Sequence, residues 1–197
     1  MLRLGITGGI GSGKTTAAKI FEVLGIPVYY ADDAAKRLMN EDEELKHKIQ
    51  QQFGNDIYKE GKLDRKKMAE IVFSSPEKLA SLNALVHPAT LKDAERWMQK
   101  QNSSYTLKEA ALIFESGAHE HLDYVIGVTA PAEESIQRTM KRDSVTRQEV
   151  IARMDKQLDE ATKMKRCDFV LNNADQEMLL PQVLALNEKL IQLSQKS

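Results

Sequence analysis

The chain of 197 residues has a single cysteine, Cys167, so neither an intrachain disulfide nor a multi-cysteine zinc site is open to it. His47, His119 and His121 have no metal-ligand spacing with partners. Long apolar runs are also missing. The longest extends from Ala110 to Phe114, far short of the roughly 20 residues a membrane-spanning helix needs. Charge of one sign is not in excess. The 28 Lys and Arg nearly balance 29 Asp and Glu, and a net of −1 gives no whole-molecule attraction to nucleic acid or anionic membrane. There is no internal repeat and no low-complexity tract. What remains is ordinary globular composition, 42% hydrophobic and 29% charged, at a length suited to one α/β domain with an insertion. A strand starting at residue 2 leaves no room for a signal peptide, so a cytoplasmic protein is expected.

What is present is concentrated near the start. Gly8-Gly9-Ile10-Gly11-Ser12-Gly13-Lys14-Thr15 fits Gly-x-x-x-x-Gly-Lys-Ser/Thr. It lies between Leu2–Thr7, which reads as a short buried strand, and Thr15–Leu24, which reads as a helix stopped by Gly25. Glycines let the backbone curl with its N–H groups inward, so the amides of Gly9, Ile10, Gly11, Ser12 and Gly13 face a polyphosphate at a helix N-terminus. Lys14 reaches the β- and γ-phosphates of such a ligand, and the Thr15 hydroxyl ligates Mg²⁺, with Thr16 adjacent. The expected ligands are a nucleotide polyphosphate and Mg²⁺.

Ile26–Ala31 reads as a second strand, after which Asp32 and Asp33 open a helix. From 42 to 101 the sequence is helical and charged, with no convincing strand. Its apolar stripes are Leu45/Ile49/Phe53, Met68/Ile71/Val72 and Leu79/Leu82/Leu85, followed by a new helix beginning at Pro88. Strands resume at Tyr105–Phe114 and Tyr124–Thr129 and end with Phe169–Leu171; a helix from about Met178 closes the chain. Five strands alternating with helices predict an α/β fold with a five-stranded, mainly parallel sheet and flanking helices. The phosphate-binding core then comprises 1–40 and 103–197, with a helical lid over about 137–160. A helical substrate-binding insertion spans 41–102.

Asp32, at the C-terminal end of the second strand, faces the crevice that the phosphate loop also faces. It can take a proton from an attacking hydroxyl, hold Mg²⁺ through water, or simply cap the next helix. Arg138 and Arg142 share a helix face, and a mobile arginine stabilises a migrating phosphoryl group. Glu134 offers Arg138 an ordinary i,i+4 pair instead. Thr146 and Glu149 form a capping box, so a new helix starts after Asp143, and two short basic helices with a break suit a closing lid. Arg153 and Gln157 flank the Val150, Met154, Leu158 stripe at the cleft edge. His87 precedes the helix-starting Pro88, and Glu115 either caps a helix or faces the crevice.

Together these residues resemble the dephospho-coenzyme A kinase family. Gly5 to Thr15 is similar to that family's opening, Leu85-Val86-His87-Pro88 to its Leu-x-His-Pro motif, and Arg138-Thr139-Met140-Lys141-Arg142-Asp143 to its lid. Arg153-x-x-x-Gln157 and Phe169-Val170-Leu171-Asn172-Asn173 look like its late nucleotide-side motifs. The resemblance runs from residue 1 to about 175. It implies ATP-dependent phosphorylation of the ribose 3′-hydroxyl of dephospho-coenzyme A, with Asp32, Lys14 and Arg142 catalytic. It also implies nucleotide contacts from Asn173 and acceptor contacts from His87, Glu115, Arg138, Arg153 and Gln157. Tyr30-Ala31-Asp32 keeps only the second carboxylate of the family's Asp-Ala-Asp, and Ala111 stands where the family has Pro in Pro-Leu-Leu-Phe-Glu. Other small-molecule kinases with the same loop, and a module that binds nucleotide without turnover, remain as alternatives. A guanine-nucleotide switch is disfavoured, since Asp-x-x-Gly after a strand and Asn-Lys-x-Asp are both missing. Oligomeric state is left open.

Overall fold

Leu4, Ile6, Leu107, Ile126 and Val128 have no exposed surface, and strands buried on both faces are what a parallel sheet covered by helices requires. The computed structural model describes residues 1–196. In chain order, β1 (Leu2–Thr7) leads through the glycine loop into α1 (Lys14–Val23), and β2 (Val28–Tyr30) runs directly into α2 (Ala31–Glu41). Then come α3 (Glu43–Phe53), a hairpin of β3 (Tyr58–Lys59) and β4 (Lys62–Leu63), α4 (Arg65–Phe73) and the long α5 (Pro76–Gln99). Next are β5 (Tyr105–Glu109), β6 (Tyr124–Thr129), α6 (Ala132–Asp143), α7 (Arg147–Met154) and α8 (Glu160–Lys165). β7 (Phe169–Asn172) and α9 (Leu179–Ser194) complete the chain.

The main sheet has five strands in the order β2-β5-β1-β6-β7, every pair parallel, as expected from the alternation of strands and helices. On one face Ala17, Ala18 and Phe21 of α1 and Val183, Leu186 and Leu190 of α9 bury the strands. Phe21 meets Tyr105 edge-to-face, and the Tyr105 hydroxyl donates to Asn187 Oδ1 at 2.6 Å, which satisfies the polar tip of a buried ring. Pro181 sits in the first turn of α9, where its missing N–H breaks no helical bond.

Two compact units divide the chain: Met1–Tyr30 with Lys100 onward, and Ala31–Gln99. The second unit has its own core, in which Leu38, Leu45, Ile49, Ile57, Met68 and Val86 are buried. Three expectations are corrected. The segment 42–101 contains a strand pair, β3–β4, closed by Glu60 and Gly61, both at positive φ as a two-residue hairpin turn demands. Pro88 does not start a helix but lies inside α5. The Ala84 carbonyl that it deprives of a partner is on an exposed residue, where water can replace the lost bond. The third strand ends at Glu109 rather than Phe114. Beyond it the chain turns so that Ile113 and Phe114 pack against Val125, and the Ala111 carbonyl accepts from Thr7 Oγ1 and Lys163 Nζ instead of a ladder.

Candidate functional site

β1 is the central strand, and the loop at its C-terminal end enters α1 without any capping side chain. The first N–H groups of α1 are therefore left for a ligand, and an anion suits them best. Gly11 and Gly13 take φ values of +79° and +92°, and a Cβ on Gly11 would lie 2.1 Å from the Ser135 carbonyl oxygen. The loop is pressed against α6 on that side. On the other, Asn173 Nδ2 donates to the Ser12 carbonyl at 2.9 Å. Ser12 Oγ is buried and has no partner among the described residues. Lys14 is half-buried, with no ion pair among the described residues.

Thr15 Oγ1 donates to Glu109 Oε1 at 2.8 Å, which joins the start of α1 to the last residue of β5. Glu109 is buried and faces Ile6 of β1 in the ladder. Sequence reasoning missed it, because the apolar run after Glu109 reads as more strand. The available signal was an acid closing a strand that pairs with the loop-bearing one.

The segment after α7 reaches the same loop. Gln157 Oε1 accepts from Ile10 N at 3.3 Å, and a Cβ on Gly9 would meet Glu160 Oε2 at 2.8 Å. Arg142 makes a two-pronged contact with Asp143, Nε to Oδ1 at 2.7 Å and Nη2 to Oδ2 at 3.0 Å, while Arg153 Nη1 reaches Oδ2 at 3.3 Å. One carboxylate thus holds both arginines, and the Arg142 hydrogen bond keeps Asp143 below its ordinary carboxylate range. Ser144, left-handed at φ 55°, makes the break between α6 and α7, and the Thr146–Glu149 capping box starts α7. Arg138 donates to the Asn173 carbonyl at 2.9 Å and pairs with Glu134 at 3.0 Å and with Asp175. It ties α6 to the end of β7.

Glu115 accepts from Leu158 N at 2.9 Å and lies 3.1 Å from the fully buried Lys163. Burial pushes its carboxyl up, but the Leu158 amide and Lys163 together hold it below the ordinary glutamate value. A depressed folded value means that this latch stabilises fully above the usual glutamate range and is lost as pH falls through the folded value. Glu115→Gln leaves the Lys163 charge buried without a counter-ion, so stability should fall by about 3 kcal/mol at pH 7. The melting temperature should drop by roughly 6–12 °C and its decline in acid should become shallower, which thermal unfolding against pH will measure.

Asp32 and His87 belong to the other unit, on α2 and α5. Asp32 follows the last residue of β2 by two positions and sits in the first turn of α2, not at its cap. It is exposed and has no hydrogen bond or ion pair among the described residues, whereas Asp33 pairs with Lys36 at 2.7 Å. His87 is half-buried within α5. Thr16 is exposed in the first turn of α1. Among the described residues no group of three or more His, Cys, Asp or Glu could hold a metal ion, and no helix is long and apolar enough to cross a membrane.

A parallel sheet with a glycine-lined, lysine-bearing loop between its central strand and a helix, and an acid beside the threonine that follows, defines a P-loop kinase. A family model described as dephospho-CoA kinase matches residues 2–178. The chain belongs to the dephospho-coenzyme A kinase family, which transfers the ATP γ-phosphoryl group to the ribose 3′-hydroxyl of dephospho-coenzyme A, the last step of coenzyme A synthesis. The dephospho-CoA kinase of Leptospira interrogans is 41% identical over 172 residues, 86% of this chain and 83% of that one. A solved structure from Thermus thermophilus superposes with a TM-score of 0.81 at 36% identity, covering 98% and 97% of the two chains. The dephospho-CoA kinase of Campylobacter jejuni gives 0.72 at 30% identity, over 96% and 97%.

Proposed function

We propose that the amides of Gly9 to Gly13 and the Lys14 ammonium hold the ATP triphosphate while Asp32 takes the proton of the acceptor's 3′-hydroxyl. The oxygen–phosphorus bond to the 3′-oxygen forms as the bond between the γ-phosphorus and the β–γ bridging oxygen breaks, and ADP leaves. Arg142 leaves Asp143 and closes over the migrating phosphoryl group, where its delocalised charge meets the charge spread over three oxygens. Closure also excludes water, against which ATP would otherwise be hydrolysed.

The residues fit Mg²⁺. It keeps most of its waters and binds few protein groups besides phosphate, which a threonine hydroxyl with one neighbouring carboxylate supplies. Thr15 and, through water, Glu109 would hold it, and the ion would neutralise charge on the β- and γ-oxygens. Thr15 in hydrogen-bond contact with Glu109 is the observation that carries this reading. Asn173, Gln157 and Glu115 act by keeping loop and lid in place, since each already bonds to backbone of those segments, and Arg138 does so by tying α6 to the Asn173 carbonyl beyond β7. Arg153 steadies Arg142 through Asp143, and His87 stands on the acceptor's side. A cytoplasmic location, where ATP is available, is part of the reading.

Purified protein with ATP, Mg²⁺ and dephospho-coenzyme A should yield coenzyme A and ADP in equal amounts. Transfer to a nucleoside monophosphate with none to dephospho-coenzyme A would overturn the assignment.

A further inference from the structure

The stretch that joins α7 to α8 lies on the glycine loop and brings a charge of the same sign as a phosphate to it. Gln157 Oε1 accepts from Ile10 N at 3.3 Å, and Leu158 N donates to Glu115 at 2.9 Å, so the stretch is held at two points. Asp159 then caps α8 by accepting from Thr162 N at 3.0 Å, which places Glu160 in the first turn of that helix. An acid there is ordinarily a solvated charge near the positive end of a helix. Glu160 is not solvated in that way. Its Oε1 is buried without a hydrogen-bond partner, and the carboxylate has no ion pair among the described residues. A Cβ on Gly9 would lie 2.8 Å from Glu160 Oε2, so it is the bare backbone of Gly9 that lets the carboxylate rest against the loop. Burying a carboxylate oxygen without a donor costs stability, and packing alone does not call for it.

We propose that Glu160 sets how tightly the loop holds nucleotide: its charge opposes the polyphosphate that the loop amides and Lys14 attract, and so hastens the departure of ADP after transfer. The inference rests on the placement of the ATP phosphates on this loop and adds a residue that works against their binding. Because Gln157 and the Glu115 latch fix the main chain on either side of Leu158, the carboxylate stays near the loop when nucleotide arrives. A unit charge several ångströms from a phosphate, in surroundings between water and protein interior, changes a binding constant by roughly three- to tenfold. Attraction still wins, and nucleotide binds less tightly than an unopposed loop would hold it. Loosening substrate and product alike raises KM for ATP and keeps ADP release from limiting turnover.

The test uses the full-length protein and Glu160→Gln, which keeps the size of the side chain against Gly9 and removes its charge. In titration calorimetry with Mg²⁺, ATP should bind the variant about fivefold more tightly than the parent, ADP about threefold, and AMP within twofold. ADP should also inhibit the variant about threefold more strongly against ATP in steady-state assays. Near 1 M salt, where the screening length is about 3 Å, the gain for ATP should shrink to less than twofold. Glu160→Asp, which keeps the charge, should bind ATP within twofold of the parent. An ATP affinity in Glu160→Gln that is unchanged or weaker would overturn the proposal. So would an equal gain for AMP and ATP, since packing rather than charge would then be read. A parent that binds no ATP at all would instead overturn the placement of the triphosphate on the loop.

Discussion

Asp32→Asn should lower the single-turnover rate of phosphoryl transfer by about 10² or more while leaving ATP affinity within twofold. The amide keeps the size and shape of the carboxylate but cannot take the hydroxyl proton. Stability should barely move, because the exposed Asp32 carboxylate makes no hydrogen bond or ion pair among the described residues. All that is lost from the fold is its favourable placement near the N-terminus of α2, worth about 0.3–1 kcal/mol. A residue that only supported the helix start would give the reverse pattern, a lower melting temperature with normal turnover in the folded fraction. A rate within threefold of the parent would remove Asp32 from the chemistry.

Gly11→Ala should be nearly as damaging, by a different route. At φ +79° an added methyl is strained in any surroundings, and here it would lie 2.1 Å from Ser135 O and 2.6 Å from Thr139 Oγ1. A backbone carbonyl inside α6 cannot yield, so the loop must move away and its amides lose their aim. Hydrogen bonds to a charged group are worth about 1.5–3 kcal/mol each, and losing one or two should weaken ATP binding by about 10². Gly25→Ala is the matched comparison. Its φ of +84° carries similar strain, but nothing lies within 4 Å of the new methyl. It should cost about 1–2 kcal/mol of stability and leave ATP affinity unchanged. Equal ATP affinity in both variants, measured by calorimetry beside melting temperature, would show that the loop tolerates displacement from α6.

Much of the fold is legible in the sequence because its signals are local. The buried strand, the glycine loop and the helix after it are contiguous, and the Thr146–Glu149 capping box is likewise written within four residues. Pro88 shows the limit of a local rule. Proline favours a helix start, but here the exposed Ala84 carbonyl makes a helix interior tolerable, and burial of Val86, Thr90 and Ala94 along one side of α5 keeps the helix continuous. The strand from Tyr105 ends sooner than its sequence suggests for a related reason. Ala110 to Phe114 is apolar throughout, and an unbroken apolar run has no period that separates strand from buried turn.

The site was legible where one segment supplies it. Lys14 and Thr15 as candidates follow from the loop motif, and the proposal for Asp32 follows from its place just after a strand. Glu109 was hidden by the overlong strand, and the anchoring of the lid was hidden because its partners are remote: Ile10 with Gln157, and Lys163 with Glu115. The order of residues alone determined that this chain curls a glycine loop between a buried strand and a helix, since neighbouring dihedral preferences settle that geometry. Only tertiary structure decided which acid stands beside Thr15 and what ties the segment after α7 to the glycine loop, because Thr15 with Glu109 and Ile10 with Gln157 lie 94 and 147 positions apart and meet only through strand order and helix placement.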